Sequence, residues 1–314
     1  MDGQTLWSNF RGDSLKILLF GANGQVGWEL QRSLSPLGEL IALDRHSKEL
    51  CGDLTDLKGI AETVRLAAPD VVVNAAAYTA VDKAEGDIKT AHLVNAAAPG
   101  VLAEAASAAG ALLVHYSTDY VFDGSGSKPW VEIDPTGPLN AYGKTKLEGE
   151  QRIASRCSKH LIFRTSWVYA ARGGNFAKTM LRLAQERETL NVINDQFGAP
   201  TGADLLADVT AHAVAQVLRQ PGLAGLYHLA AGGETTWFEY AKYVVDQSIR
   251  TRAAPEIIVK KINPVATSAF PTAAQRPFNS RLNTTKLAQT FGLHLAPWQL
   301  GVARMLAETP IKSL

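Results

Sequence analysis

Apolar and polar positions along the chain repeat with two alternating periods. "LKILLF" (15–20) is a run of strand formers closed by Gly21, and "QVGWELQRSL" (25–34) follows with Val26, Leu30 and Leu34 on one helical face. The pattern then predicts a strand at 39–44, a helix at 56–68, a strand at 70–77 and a long alanine-rich helix from Thr90 to Ala109. A strand at 111–117, a helix starting near Tyr142 and a strand at 160–166 complete this half. Strands that alternate with helices call for a parallel sheet with right-handed crossovers, covered on both faces. The fold class expected is therefore α/β, with a doubly wound parallel sheet.

Beyond Ser166 the alternation loosens. Helices are expected at 175–188, at 203–220 (ended by Pro221), near 236–249, at 284–291 and at 297–307, with strands at 190–194 and 225–230. A proline-rich stretch, 264–277, reads as irregular. These later segments suggest a smaller C-terminal lobe.

Composition narrows the class. With 314 residues, 46% hydrophobic and 19% charged, the chain has ample material for a core. Thirty-one basic against 30 acidic residues give a net charge of +1, without the basic excess of a nucleic-acid binder. Two distant cysteines, Cys51 and Cys157, offer neither a disulfide framework nor a zinc pattern, and the seven histidines show no metal spacing. No apolar run reaches the ~18 residues of a membrane helix. Residues 1–14 are polar, with an acid at position 2, and read as a disordered extension rather than a signal peptide. A cytoplasmic protein without nucleic-acid or membrane partners is expected.

Chemistry enters at "FGANGQVGW", where Gly21, Gly24 and Gly27 are spaced G-x-x-G-x-x-G between a strand and a helix. Such a turn lets a pyrophosphate approach free N–H groups at a helix N-terminus, the device of Rossmann-type dinucleotide sites. Asp44 ends the second strand, placed to accept from a ribose 2′-OH, while Arg45 can pair with a 2′-phosphate instead; NADH and NADPH both stay open. Asp53 and Leu54 suit an adenine contact, or Asp53 a turn or cap. "NAAAY" (74–78) brings small side chains to the C-terminal edge of the third strand, where ligands bind in open sheets. The expected division is residues 15–166 with about 189–220 for the dinucleotide, and about 167–188 with 221–314 for substrate.

Tyr142 and Lys146, in "PLNAYGKTKLEGE", stand one helical turn apart and share a face. A phenol is a poor acid near neutrality unless its anion is favoured, and a neighbouring ammonium favours it. The expectation is a Tyr142 acidified by Lys146, giving a proton to a carbonyl that takes hydride from a nicotinamide. Thr118, at the end of the preceding strand, can orient the same carbonyl.

Together these motifs resemble the extended short-chain dehydrogenase/reductases and, within them, the dTDP-4-dehydrorhamnose reductase family. The resemblance runs from about Leu15 to about Leu306, through "LLFGANGQVGWELQRSL", "HYSTDYVFDG", "FRTSWVYA", "VINDQFGAPTGADLLAD" and "RPFNSRLNT". It implies reduction of the 4-keto group of dTDP-4-dehydro-β-L-rhamnose by NADPH or NADH. Matching cofactor positions are Gly24, Gln25, Val26, Asp44, Asp53, Leu54, Ala77, Tyr78, Thr79 and Tyr116; Thr118 and Asp119 match active-site positions, with Tyr142 and Lys146 the catalytic pair. Trp167 matches an aromatic of the sugar-nucleotide pocket. Tyr120 suits the same wall by stacking, or plain packing, and Arg276 suits a diphosphate or a structural ion pair. The resemblance also implies a homodimer. Some relatives dimerise around a magnesium ion: Glu29 matches one ligand position, and Asp204 stands where a glutamate is usual.

Two rivals share much of this pattern. A sugar-nucleotide dehydratase would carry an Asp-Glu pair after the threonine, but Thr118 is followed by Asp119 and Tyr120. A non-catalytic, dinucleotide-binding regulatory subunit resembles the same family; the intact Tyr142 and Lys146 weigh against it.

Overall fold

A computed structural model describes residues 14–251 and 257–309. The expected N-terminal extension, apart from Ser14, lies outside the described residues.

The first half alternates as its pattern predicts: β1 (Leu15–Phe20), α1 (Gln25–Leu34), β2 (Gly38–Leu43), α2 (Leu57–Ala67), β3 (Val71–Asn74), α3 (Ala98–Ala109), β4 (Leu112–Thr118), α4 (Ala141–Arg156) and β5 (His160–Thr165). Then follow α5 (Phe176–Glu186), β6 (Thr189–Ile193), α6 (Ala203–Arg219), β7 (Gly225–His228), α7 (Trp237–Thr251), β8 (Lys261–Val265), α8 (Thr285–Phe291) and α9 (Trp298–Glu308). Six strands form one sheet in the order β7-β5-β4-β3-β1-β2, all parallel.

Successive strand residues point to opposite faces, and each face has its own core. Ile17, Leu19, Val71, Val73 and Val114 pack with Leu30 and Leu34 of α1 and Leu206 and Ala213 of α6. Leu18, Phe20, Val72 and Leu113 pack instead with Ile60 of α2, Leu102 and Ala106 of α3 and Ile153 of α4. A separate cluster joins α5, α7 and α9 through Leu181, Tyr240, Val244 and Val302. Among the described residues no helix is long and apolar enough to cross a membrane.

Two expectations about organisation change. The strand at 189–193 pairs with β8 in a two-stranded sheet of the C-terminal lobe, whereas 225–228 adds to the large sheet beside β5. These segments therefore sit on the opposite sides of the expected division, because α6 packs on the large sheet and delivers the chain after it to that sheet's edge. The start of the stretch read as irregular also forms a strand, β8, with Pro264 opposite Val192. A two-stranded sheet leaves each strand an open edge, so a proline without an N–H is tolerated there.

Candidate active site

The direction of winding reverses between β1 and β3, and a cleft opens at their C-terminal ends, the position ligands take in such sheets. Gly21 follows β1 with φ +87°, and a Cβ there would lie 2.7 Å from the Ala76 nitrogen, so only glycine lets the β1 and β3 ends meet. Gly27 does not line the cleft: its bare Cα lets α1 press on the turn, a Cβ being 2.0 Å from the Gly21 carbonyl oxygen. The first turn of α1 has no side-chain cap at Gly24, which leaves its N–H groups facing the cleft.

The cleft, ≈ 960 Å³, brings together most of the residues singled out from sequence. Gly21, Gly24, Gln25, Val26, Asp44, Asp53 and Leu54 line one end. Ala77, Tyr78 and Thr79 line its middle, with Tyr116. Thr118, Asp119, Tyr120, Tyr142, Lys146 and Trp167 line the other end. The Asp44 carboxylate accepts from Asn23 Nδ2 and, at 2.7 Å, from the His46 N–H. Asp53 closes a turn by accepting from the Thr55 N–H and hydroxyl at 3.0 and 2.8 Å, and the backbone bond is the main cause of its lowered pKa. It also holds Arg45, 3.9 Å away.

Asn140 caps α4 by accepting from Gly143 N, and so sets where the helix begins. Tyr142 and Lys146 then both reach the cleft, but the expected pairing between them is not what the structure shows. Lys146 Nζ lies 2.6 Å from the Tyr116 carbonyl oxygen and 2.9 Å from His115 Nε2. Burial pushes the Tyr142 phenol well above its ordinary pKa; a hydrogen bond with Thr118 works the other way, and the negative charge of Asp119 adds to the rise. The amine meets the Tyr116 carbonyl and the His115 imidazole near the end of β4, and its own burial draws it down to about 8. Tyr142 thus holds its proton firmly near neutrality.

Below the phenol, Thr118 Oγ1 donates to Asp119 Oδ1 at 3.0 Å. Asp119 is buried, and loss of solvation raises its pKa to about 6. A folded pKa above the ordinary 3.8 means stability present in acid and lost as pH rises through about 6. The difference, about two pH units at about 1.4 kcal/mol each, puts the cost near 3 kcal/mol. Asp119→Asn can keep the bond from Thr118 and should be more stable than the parent chain by up to about 3 kcal/mol at pH 8, and by little near pH 4. Denaturant melts at both pH values measure this; equal gains at both would contradict the burial account.

Sequence reading missed several contributors. Leu93–Ala97 forms a π-helical turn, and Asn95 within it accepts from the Tyr78 N–H at 2.8 Å and donates to the Tyr78 carbonyl at 3.0 Å, so it positions that segment. Trp237 stacks on Trp167 with ring centroids 3.6 Å apart, and Gly198 backs the pair, since a Cβ there would lie 2.7 Å from the Trp167 ring. Trp167 itself has φ +50°, a left-handed backbone costly for an aromatic residue. Buried side-chain atoms Ser117 Oγ, Thr165 Oγ1 and Asp119 Oδ2 have no partner among the described residues, and all three residues line the cleft.

The outlying candidates resolve differently. Arg276 is outside the cleft lining and donates to Asp82 at 2.6 Å, a structural ion pair at the rim beside Tyr120. Glu29 pairs with Arg32 at 3.5 Å, and Asp204 lies 3.9 Å from Arg304 while accepting from Leu205 N. Among the described residues no group of three or more His, Cys, Asp or Glu is placed to hold a metal ion. The expectation of a magnesium site gains no support: both acids are helix-surface carboxylates engaged by arginines of this chain.

Comparison with known proteins adds a family. The family model described as RmlD substrate binding domain matches residues 15–311. The chain is similar to the dTDP-4-dehydrorhamnose reductase of Salmonella typhimurium, 62% identical over 94% of this chain and 98% of the relative. It is also similar to that of Burkholderia thailandensis, 50% identical over 92% and 97%. Among solved structures, a dTDP-4-dehydrorhamnose reductase from Bacillus anthracis in complex with NADP superimposes with a TM-score of 0.84 at 34% identity, covering 94% of this chain and all of the other.

Proposed function

The chain belongs to the dTDP-4-dehydrorhamnose reductase family, and we propose on that premise that it reduces the 4-keto group of dTDP-4-dehydro-β-L-rhamnose with NADPH or NADH. The observation that carries the reading is the meeting of Thr118, Tyr142 and Lys146 in the same cleft as the glycine turn. The cleft suits a dinucleotide: a pyrophosphate fits where Gly21 and Gly24 leave the backbone bare and α1 offers uncapped N–H groups. Asp44 and Asp53 mark the adenosine end. When bound, the reduced nicotinamide supplies the hydride.

The chain's own groups supply the rest. With substrate bound, the Thr118 hydroxyl, which donates to Asp119 in the free protein, turns to the carbonyl oxygen beside the Tyr142 phenol, and the phenol, protonated near neutrality, releases its proton to that oxygen. Lys146 holds the nicotinamide ribose. Tyr120, Trp167 and Trp237 form the wall for the sugar nucleotide.

Oxidation of NADPH, followed by absorbance with the keto-sugar nucleotide supplied enzymatically, tests the reading. Dinucleotide binding without turnover at any pH would replace it with a regulatory role. Asp44→Ala should weaken NADH more than NADPH, because only NADH presents a 2′-OH to the carboxylate. Titration of each dinucleotide measures this, and equal losses would make Asp44 a purely structural residue.

A further inference from the structure

β3 ends at Asn74, which is the register partner of His115 on β4. Both side chains are buried under the cleft, and neither was singled out from the sequence. Asn74 Oδ1 lies 3.1 Å from the Ala76 backbone nitrogen. That N–H can only donate, so the amide atom facing it must be the oxygen, and the amide NH2 must face the imidazole. Asn74 Nδ2 is 3.1 Å from His115 Nδ1. An amide nitrogen also only donates; Nδ1 therefore accepts, and the proton of a neutral imidazole sits on Nε2.

His115 Nε2 lies 2.9 Å from Lys146 Nζ. An Nε2–H can meet the lone pair of an amine, whereas an ammonium offers only hydrogens. A charged lysine would set N–H against N–H at one of the two imidazole contacts. A neutral amine satisfies every contact: its lone pair accepts from Nε2–H, one hydrogen goes to the Tyr116 carbonyl at 2.6 Å, and one is left for the cleft.

We propose that Asn74 and His115 are positioning residues for Lys146, holding the imidazole proton on Nε2 so that the lysine is oriented as its neutral amine in the dinucleotide-free protein. This rests on the reading that Lys146 serves reduction at this cleft. The charged and titratable surroundings are compatible with it. On its own helix Lys146 faces Tyr142 and Glu150; Glu150 favours the ammonium but is held by two nitrogens of Arg164 from β5, whose charge offsets it. Asp119, just beyond β4, is ionised above about pH 6, and its carboxylate is engaged by Thr118 Oγ1 at 3.0 Å. Burial keeps His115 from becoming an imidazolium.

The test uses the full chain without dinucleotide, with 15N-labelled histidine, at about pH 9, where an ordinary lysine is still charged. Long-range nitrogen–proton spectra should show His115 protonated on Nε2 alone. Protonation on Nδ1, or on both nitrogens, overturns the proposal, and no variant is needed for this reading. A second measurement follows the Lys146 13Cε shift with pH, assigned through Lys146→Arg. In His115→Gln the amide oxygen can turn to Nζ and favour the ammonium, so the Lys146 midpoint should rise by about one pH unit, the equivalent of one hydrogen bond. An unchanged or lower midpoint overturns the proposal. Neither reading requires turnover, so failure here is distinct from an absence of reductase activity.

Discussion

Tyr142→Phe is expected to lower turnover at least ~100-fold while leaving NADPH affinity close to that of the parent chain. The ring is half-buried and packs edge-on against Tyr120, with centroids 5.6 Å apart, so phenylalanine keeps the contact and loses only the hydroxyl. Burial holds that hydroxyl protonated near neutrality, which is the state a proton donor must start from. Under the proposed function the removed group acts on the reacting oxygen, and the substitution leaves the opposite end of the cleft, around Asp44 and Asp53, untouched. Steady-state kinetics and dinucleotide titration separate the two effects. Turnover within a few-fold of the parent would assign the proton to another group, and a parallel loss of NADPH binding would make Tyr142 a dinucleotide contact.

The parts legible in the sequence are those set by local pattern. The glycine turn, the start of α4 and the four strands flanking them are encoded within a few residues each, by spacing and by the Asn140 cap. Contacts across the sheet were not legible. His115 reads as one more residue of a buried strand in "LLVHYST", and only the registration of β3 against β4 puts Asn74 beside it. For the same reason helical spacing alone suggested that Lys146 serves Tyr142, whereas the end of β4 supplies the partners the amine meets. "KINPV" carries no strand alternation and contains a proline, so β8 becomes visible only through its partner β6. Neither of the segments on the wrong side of the expected division, 189–193 and 225–228, carries in its own residues a sign of which sheet it joins.

Arg164→Met is expected to destabilise the fold by about 3–5 kcal/mol. Arg164 donates from Nε and Nη2 to the two carboxylate oxygens of Glu150 at 3.0 and 2.7 Å, and the side chains are only 5% and 4% exposed. This pair ties α4 to β5, one turn beyond Lys146, so it braces the helix that carries both candidate catalytic side chains. Methionine would fill much of the space against Phe122, over whose ring the guanidinium sits at 5.0 Å, but would strand the Glu150 carboxylate without a cation in a dry interior. The penalty belongs to the stranded charge rather than to the loss of the pair. Two outcomes follow from that distinction. The deficit should shrink in acid, where the carboxyl of the folded variant can take up a proton. Replacing both partners, Arg164→Met with Glu150→Met, should recover most of the lost stability. Denaturant unfolding of the single and double variants measures this. A double variant as unstable as Arg164→Met alone would show that α4 depends on the pair's geometry, with its two directed hydrogen bonds, rather than on charge neutrality.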